Sequence, residues 1–484
     1  MNLKELIKDL NCERTEGISD CEIKGISCDS NKIAPGHLFV AIKGQRADGH
    51  SFINQAIAKG AKAVIAEQDF ISKPDLVKLL VQDSRAALAC VCSRFFGHPA
   101  KSLKAIGITG TNGKTTVAYL IESILASAGH LSAVTGTINY RIGSKVYAAA
   151  NTTPQADILQ SFLQETVLAK SRYVIIEVSS HALAQHRVDY IDFSQAVFTN
   201  LSGEHLDYHG SLNNYFSCKS SLFERLSASG VGIINVDDHY GRKLANSLKS
   251  GQTLTFSIDQ PARIQAKNIK LDIEHSRFRA VTPQGDIEIE SPLIGRYNIY
   301  NVLAAIAVAF IEKIDFSHIA SAVKGFSSVP GRLERVDCGQ DFLAFIDYAH
   351  TDDALANVLR GLRQLSKNKI ILVFGCGGDR DRLKRPRMGK VASELTDVTI
   401  ITSDNPRSED PAQIAADIIQ GIDQKTNNCK VILDRFRAIR QAVSYAQSGD
   451  ILLIAGKGHE STQVFADKTI HFSDREVIKE ILRC

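Results

Sequence analysis

Short apolar runs alternate with segments of helical periodicity along the whole chain. Each run is four to eight residues long and ends in glycine or polar residues, a pattern typical of strands buried on both faces. The predicted strands lie at residues 38–42, 61–66, 105–108, 173–181, 196–201, 233–238, 342–347, 369–374, 398–402, 430–433 and 451–454. Because helical segments separate these strands, the sequence predicts an α/β protein with parallel sheets.

The helical segments complete this picture. They are predicted at residues 53–59, 117–125, 156–169, 220–226 and 302–311. Residues 252–290 differ, because polar and apolar positions alternate there in short runs. That alternation indicates antiparallel strands or a sheet edge.

The length of 484 residues indicates about three domains at roughly 150 residues each. A Pro-Gly-Arg turn at residues 330–332 marks one boundary. We expect a small N-terminal α/β domain at 1–98, a central P-loop ATPase domain with a mostly parallel sheet at 99–331, and a Rossmann-like α/β domain at 332–484. Linkers near residues 98 and 331 are the predicted hinges.

Composition excludes some classes of function. A formal net charge of +4 leaves no strong electrostatic footprint for nucleic acid or an anionic membrane. No apolar stretch reaches 18 residues, and the first residues lack the pattern of a signal peptide. The ten cysteines show no C-x2-C pairing, which favours reduced thiols. We therefore expect a cytoplasmic protein with no membrane segment and no nucleic-acid partner.

A glycine-rich loop at residues 110–116, Gly-Thr-Asn-Gly-Lys-Thr-Thr, joins a predicted strand to a predicted helix. Gly110 and Gly113 let the backbone approach phosphates, Lys114 can reach the β- and γ-phosphates, and the Thr115 hydroxyl can bind Mg2+. The general pattern G-x4-G-K-[ST] would need glycine at position 108, where the chain has Ile108. A glycine turn with a chance lysine is the alternative, but the flanking strand and helix favour a phosphate site.

Carboxylate and imidazole groups follow the next two strands. Glu177 ends one strand in the sheet that holds the loop, which is where a Mg2+ ligand is expected. Residues 204–209, Glu-His-Leu-Asp-Tyr-His, follow the other strand. Lys219 is predicted at the start of the helical segment 220–226. Each group could instead be a solvated loop residue.

Polar clusters also end four strands of the last third. They lie at residues 347–350, 375–380, 403–407 and 456–460. Open parallel sheets bind ligands at the carboxyl ends of their strands. Four clusters in one domain therefore predict a second binding site.

These motifs, in this order, resemble the Mur ligase family over essentially the whole chain. The matching positions are 110–116, 151–154, 177–181, 200–201, 205–209, 219, 298, 301, 331–332 and 347–350. Residues 404–407, Asp-Asn-Pro-Arg, resemble the signature of members that add meso-diaminopimelate, whereas lysine-adding relatives tend to lack the arginine. The resemblance implies an ATP-dependent amide ligase.

The resemblance also implies roles for individual residues. ATP would be bound by Gly110, Thr111, Asn112, Gly113, Lys114, Thr115, Thr116, Asn301, Arg332 and Asp347. The nucleotide precursor would be bound by Ser30, Gln45, Arg46, Ala47, Asn151, Thr152, Thr153, Ser179, Gln185 and Arg187. Diaminopimelate would be bound by Arg380, Asp404, Asn405, Pro406, Arg407, Gly456 and Glu460.

The implied catalytic residues are Lys114, Glu177, His205 and Lys219. Thr115 and Glu177 would bind one Mg2+, while His205 and a carbamylated Lys219 would bind a second. One position departs from the family pattern: Gly203-Glu204 stands where relatives more often have Arg-Asp before the histidine. The local contact made by this carboxylate is therefore open.

The implied substrates are UDP-N-acetylmuramoyl-L-alanyl-D-glutamate and meso-2,6-diaminopimelate, joined through an acyl phosphate during peptidoglycan precursor synthesis. We expect a monomer that closes around its substrates. A lysine-adding variant and a folylpolyglutamate synthase-like ligase are the alternatives within ligases. A regulatory nucleotide switch is the alternative outside them, although the chain lacks an [NT]-K-x-D guanine-reading motif.

Overall fold

Three sheets of five, eleven and six strands follow one another along the described chain and are flanked by helices, and a separate two-stranded sheet lies near the C-terminus. The computed structural model describes residues 1–18, 20–44, 47–71, 73, 75–249, 251–423 and 428–483. The predicted α/β class is confirmed. None of the helices in these ranges is long and apolar enough to cross a bilayer.

The N-terminal sheet has five strands in the order β1-β5-β4-β3-β2. Its elements are α1 (Leu3–Leu6), β1 (Arg14–Glu16), β2 (Gly25–Ser27), β3 (His37–Val40), α2 (Ile53–Ala58), β4 (Ala63–Ala66), β5 (Val77–Leu80) and α3 (Ser84–Phe95). Strands β2 to β5 pair in parallel, and β1 is antiparallel to β5. The predicted strand and helix cores are correct, and their ends shift by one or two residues.

The central sheet has eleven strands in the order β16-β15-β14-β13-β12-β11-β6-β10-β7-β8-β9. Its first half contains β6 (Lys104–Thr109), α4 (Lys114–Ser127), β7 (Ser132–Thr135), β8 (Asn139–Ile142), β9 (Lys145–Ala148), α5 (Ala156–Leu168), β10 (Tyr173–Glu177), α6 (Ser180–Ala184) and β11 (Phe193–Phe198). Its second half contains α7 (Leu206–His209), α8 (Leu212–Ser220), β12 (Leu226–Asn235), α9 (His239–Ser247), β13 (Thr253–Ser257), β14 (Ile264–Leu271), β15 (Ser276–Thr282), β16 (Gly285–Ser291), α10 (Arg296–Ile311) and α11 (Phe316–Lys324).

The pairing in this sheet agrees with the sequence prediction. Neighbouring strands in the series β7-β10-β6-β11-β12-β13-β14 pair in parallel. Strands β14, β15 and β16 form an antiparallel meander at one edge. The alternating segment 252–290 therefore does build an antiparallel edge, although its first strand is parallel. The central strands are buried on both faces, as continuous apolar runs require.

Two helix predictions in the central unit were wrong. The helix predicted at 220–226 is α8, which ends at Ser220, so Lys219 lies in its last turn. Ser211 caps α8 by accepting a hydrogen bond from the Asn214 N–H, and the cap starts the helix earlier than the apolar pattern indicated. Similarly, α10 begins at Arg296, six residues before the predicted start.

The C-terminal sheet has six strands in the order β17-β18-β22-β19-β20-β21. The elements of this unit are β17 (Glu334–Val336), β18 (Leu343–Asp347), α12 (Asp352–Leu365), β19 (Ile370–Phe374), α13 (Lys384–Leu395), β20 (Val398–Ile401), α14 (Pro411–Ile419), β21 (Asn428–Val431), α15 (Arg435–Tyr445), β22 (Ile451–Ala455), β23 (Thr462–Val464), β24 (Thr469–His471) and α16 (Asp474–Leu482), of which β23 and β24 form a separate antiparallel pair. All pairs in this sheet are parallel except β17 with β18. The five predicted strands are present, and their shared carboxyl ends face one edge.

Apolar side chains join the three units. Ala156 of α5 belongs to the N-terminal core, and Ile294 of the central unit belongs to the C-terminal core. The segments between units contain residues in the left-handed region, with φ of 53° at His98 and 65° at Gly331. Left-handed backbone is therefore present in both of the segments predicted as hinges.

Candidate active site

The loop between β6 and α4 has the shape of a phosphate site. Gly110 and Gly113 have φ of 141° and 91°, a region that favours glycine. A Cβ at Gly110 would overlap the Thr199 hydroxyl, and one at Gly113 would overlap the Asn301 side-chain oxygen. The backbone can therefore approach its neighbours only because these two positions lack side chains. The helix that follows points its N-terminal N–H groups at the loop.

Lys114 is held over this loop. Its Nζ donates hydrogen bonds to the carbonyl oxygens of Gly110 at 2.9 Å and Thr111 at 2.8 Å. Burial lowers the pKa of Lys114. The cation thus lies within the turn that would receive the phosphate chain.

Glu177 collects hydrogen bonds at the end of β10. Its Oε2 accepts from the Thr115 hydroxyl at 2.9 Å and from the Thr137 hydroxyl at 3.0 Å. Its Oε1 accepts from the Thr137 N–H at 3.2 Å. The structure therefore brings together Thr115 and Glu177, a hydroxyl and a carboxylate of the kind Mg2+ binds. Within the described ranges, no group of three or more His, Cys, Asp or Glu side chains has the arrangement of a metal site.

Lys219 approaches the same loop from α8. Its side chain is 1% exposed, and its Nζ donates to the Gly110 carbonyl oxygen at 2.8 Å. Burial and the nearby Lys114 lower the pKa of Lys219 well below its usual range. Two amines therefore share one carbonyl oxygen, and their mutual repulsion favours the neutral form of Lys219.

Glu204 lies between imidazole groups of two units. Its Oε1 is 3.8 Å from Nε2 of His205 and 3.8 Å from Nε2 of His350. Burial alone would raise the pKa of Glu204, but the two histidines and the two lysines together lower it. The carboxylate that departs from the family pattern is thus ionised and faces both lysines of the phosphate loop.

His205 lies in a cluster of aromatic rings. Its φ is 55°, and its ring centroid is 4.8 Å from that of His181. The ring of His181 is in turn 5.9 Å from that of His209. The predicted metal ligand His205 follows Glu204 in the chain. Its ring packs against that of His181, which lies at the start of α6.

Residues of the C-terminal unit complete the nucleotide site. Arg332 donates from Nη2 to the Thr115 hydroxyl at 3.3 Å, and its guanidinium lies 4.6 Å from the centroid of the Tyr348 ring. Asp347 accepts hydrogen bonds from the N–H groups of Leu333 at 2.6 Å and Ala349 at 2.7 Å. Burial raises the pKa of Asp347. Asp347 therefore fixes the backbone that carries Arg332.

A second contact joins the loop to the C-terminal unit. Oδ2 of Asp353, in the first turn of α12, accepts from Asn112 Nδ2 at 3.0 Å and from the Ser202 hydroxyl at 2.8 Å. The C-terminal unit therefore contacts the phosphate loop directly.

The predicted muramoyl-binding residues surround the start of α6. Arg187 donates to the Thr153 carbonyl oxygen at 2.8 Å and to Gln185 Oε1 at 2.7 Å. The Thr153 hydroxyl accepts from the Ser179 N–H at 3.1 Å and donates to the Glu177 carbonyl oxygen at 2.6 Å. These residues thus form one network next to the Glu177 site.

The other predicted precursor contacts lie further out. The Thr152 hydroxyl is 3.1 Å from the Thr137 hydroxyl, and the Asn151 carbonyl oxygen accepts from the Tyr140 hydroxyl at 2.6 Å. Ser30 is buried in the N-terminal unit and donates to Gln55 Oε1 at 2.9 Å. Ala47 is in the same unit. Gln45 and Arg46 lie outside the described residues.

The predicted amino-acid site is at the carboxyl ends of β20 and β22. Asp404 and Asn405 are buried, and Asn405 Nδ2 donates to Glu460 Oε2 at 2.8 Å. Gly456 is packed so that a Cβ there would lie 2.6 Å from Asp404 Oδ2. The structure brings these four residues together.

The remaining predicted amino-acid ligands come from the neighbouring turn. Arg407 donates from Nη1 to the Gly378 carbonyl oxygen at 2.7 Å, and Pro406 packs its carbonyl against the same glycine. Arg380 is exposed at the rim of this site. The site therefore combines carboxylates from two strand ends with arginines from the turns beside them.

Sequence reasoning missed several residues of this site. Thr137, His181, Asp353, Lys457 and His459 were given no role, although the first four contact predicted site residues. His181, Lys457 and His459 lie inside polar clusters that the sequence analysis did identify. Thr137 and Asp353 carried no local signal, because their contacts come from distant parts of the chain.

The fold and this site define a class of protein: a three-unit α/β enzyme whose phosphate loop is capped by a domain with its own polar binding site. Family models match three parts of the chain. They are the Mur ligase family catalytic domain at 22–96, the Mur ligase middle domain at 108–309 and the Mur ligase glutamate ligase domain at 331–458.

Individual relatives match over the full length. Proteins of Syntrophomonas wolfei and Solibacter usitatus, both called UDP-N-acetylmuramoyl-L-alanyl-D-glutamate--2,6-diaminopimelate ligase, are each 44% identical over 100% of this chain and cover 99% and 98% of their own lengths. A solved structure with the same name is 33% identical, has a TM-score of 0.70 and covers 100% of this chain and 99% of its own. The chain belongs to the Mur ligase family, and the prediction of an ATP-dependent ligase is confirmed.

Proposed function

We propose that this chain adds meso-2,6-diaminopimelate to UDP-N-acetylmuramoyl-L-alanyl-D-glutamate, using ATP and Mg2+, in the cytoplasmic synthesis of peptidoglycan precursors. Relatives that are 44% identical over the full length carry this activity in their names. Residues 1–98 would bind the UDP end, 99–331 would bind ATP, and 332–484 would bind diaminopimelate. The enzyme would work as a monomer.

One observation supports this proposal above the others. The loop at residues 456–460 contacts both the predicted amino-acid site and the predicted Mg2+ site. Glu460 binds Asn405, while the backbone of Thr137, which holds Glu177, contacts the His459 ring. An amino acid held by this loop would therefore lie next to the activated carboxylate, which is the near-attack geometry that ligation needs.

The proposed reaction has two steps. A carboxylate oxygen of the precursor attacks the γ-phosphorus of ATP, the bond to ADP breaks, and an acyl phosphate forms. The amine of diaminopimelate then attacks the acyl carbon, loses a proton, and expels inorganic phosphate. Lys114 would stabilise the charge on the phosphoryl oxygens, and bound Mg2+ would neutralise the triphosphate.

Lys219 would act as a carbamate in this scheme. Its low pKa supplies a neutral amine, which can attack CO2, form an N–C bond and release one proton. The product is an anionic oxygen ligand in place of a cation. The test is carbon-13 NMR of active enzyme in labelled bicarbonate: a carbamate signal that is lost in Lys219→Met supports this role, and its absence in active wild type refutes it.

Arg407 would select diaminopimelate over lysine. The two amino acids differ by one carboxylate, which a planar guanidinium can bind with two hydrogen bonds. Lysine would leave that guanidinium without its partner, at a cost of roughly 1–3 kcal/mol. The location of Arg407 beside Gly378, at the mouth of the 404–407 turn, supports this role.

A ligation assay tests the whole proposal. The enzyme receives the UDP-dipeptide precursor, ATP and Mg2+, with meso-diaminopimelate, L-lysine or L-ornithine as the nucleophile. Tripeptide product with diaminopimelate alone is the expected result. Product with lysine would indicate the lysine-adding variant, ligation of glutamate to a folate would indicate the folylpolyglutamate synthase-like alternative, and slow nucleotide hydrolysis with no amide product would favour a switch.

A further inference from the structure

Lys457 is a fully buried cation inside the predicted amino-acid site. It follows Gly456 at the carboxyl end of β22, and its side chain is 0% exposed. An ammonium group taken out of water is costly unless it is paired and hydrogen-bonded. The partners that keep it there therefore reveal its role.

These partners are the predicted ligands of the amino acid. Lys457 Nζ donates to Asn405 Oδ1 at 3.2 Å and to Glu460 Oε2 at 3.1 Å, and lies 4.0 Å from Asp404 Oδ1. Asn405 Nδ2 closes the triangle by donating to the same Glu460 oxygen at 2.8 Å. The side chains of Lys457, Asn405 and Glu460 thus form a closed ring of three hydrogen bonds.

The ring fixes how Asn405 is oriented. Lys457 can only donate, and so can the Val464 N–H, which reaches Asn405 Oδ1 at 3.0 Å. The carbonyl oxygen of Asn405 must therefore face these two donors, and its NH2 group must face Glu460. Within the described residues, the contacts to Glu460 run through Oε2, so Oε1 is left for a substrate ammonium.

The ring also controls charge. Asp404 and Glu460 converge on Lys457, and without the ammonium their mutual repulsion would move one carboxylate away from the other. A site for an amino acid has to present an ionised carboxylate at a fixed place. The buried ammonium of Lys457 offsets the repulsion between the two carboxylates and holds Glu460 in a fixed place.

We propose that Lys457 is the positioning residue of the amino-acid site, holding Asn405 and Glu460 in the geometry that binds the ammonium end of the diamino acid. The identity of that amino acid rests on the proposed function. Lys457 would act through these side chains, because two of its three N–H donors are bound to Asn405 and Glu460.

The test is Lys457→Met, which keeps the stem and removes the charge and the donors. We expect the KM for the amino acid to rise at least 20-fold, with the KM for ATP and for the precursor within twofold of wild type. Lys457→Gln, which keeps a donor, should recover part of this loss. The matched control is Lys390→Met, on the exposed face of α13, which should behave as wild type.

Two results would overturn the inference. The KM for the amino acid could stay within twofold of wild type, or all three KM values could rise together with a lower melting temperature in both Lys457 variants. If Lys457→Met fails to fold, Lys457→Gln gives the same readings. A wild-type enzyme that ligates lysine instead of diaminopimelate would refute the proposed function only, and the KM for lysine would then be the measured quantity.

Discussion

The contact between Asp353 and the phosphate loop gives a quantitative test of domain closure. Asp353 Oδ2 accepts hydrogen bonds from Asn112 at 3.0 Å and Ser202 at 2.8 Å, so its carboxylate joins α12 to the loop. Asp353→Ala removes both bonds. The freed groups can be hydrated because this region is half-buried, so the cost should stay at the low end of the range for bonds to a charged acceptor.

The magnitude follows from these two bonds. At about 1.5 kcal/mol each, their loss disfavours the closed state by about 3 kcal/mol. Since 1.4 kcal/mol is a factor of ten, the closed population would fall by up to roughly 100-fold relative to the open one. We expect kcat/KM for the precursor to fall by ~10- to 100-fold, and the radius of gyration by X-ray scattering to increase.

The matched control is Asp352→Ala. Both aspartates lie in the first turn of α12, so both changes remove a negative charge from the N-terminus of that helix. Asp352 instead faces Arg387, at 3.4 Å in an exposed pair that contributes little. Equal kcat/KM and equal scattering curves for the two variants would refute the role of Asp353 in closure.

Three further changes should each affect a separate part of the site. Arg407→Ala should lower kcat/KM for diaminopimelate by roughly 10- to 100-fold with ATP binding retained, measured by steady-state kinetics. Gly136→Ala places a Cβ on the Glu177 carboxylate and should weaken Mg2+ activation at least tenfold, measured by Mg2+ titration of activity. The hydrogen bond to Asp189 raises the pKa of His186, so this group stabilises the fold most below its unfolded pKa and loses that effect as pH rises through the folded one. His186→Gln should therefore cost more stability at pH 5.5 than at pH 8.5, measured by urea unfolding.

Exposed or open positions supply the controls for these changes. Arg382→Ala removes an exposed arginine near the same turn and should keep diaminopimelate activity. An added Cβ at Gly361 in α12 would make only an ordinary van der Waals contact with Tyr297, so Gly361→Ala should leave Mg2+ activation unchanged. His471→Gln removes an exposed histidine, and its stability cost should be small at both pH values. Equal effects of a test variant and its control would contradict the corresponding prediction.

The sequence by itself determined the α/β class, most strands and the phosphate loop. Short apolar runs that end in glycine or polar residues indicate buried strands, and the glycines at 110 and 113 stand where a side chain would overlap its neighbours. Polar residues at the strand ends also marked the two regions in which the structure gathers polar side chains. These signals are local, because periodicity and turn chemistry act over a few residues.

Only the tertiary structure decided which of these groups meet. Asn112 and Asp353 are 241 positions apart, and Asn405 and Lys457 are 52 apart, so no local pattern could pair them. The helix that carries Lys219 was misplaced because a serine cap, and not the apolar pattern, set its start. Burial, which lowers the pKa of Lys219 and surrounds Lys457 with partners, arises from the packing of segments that are distant along the chain.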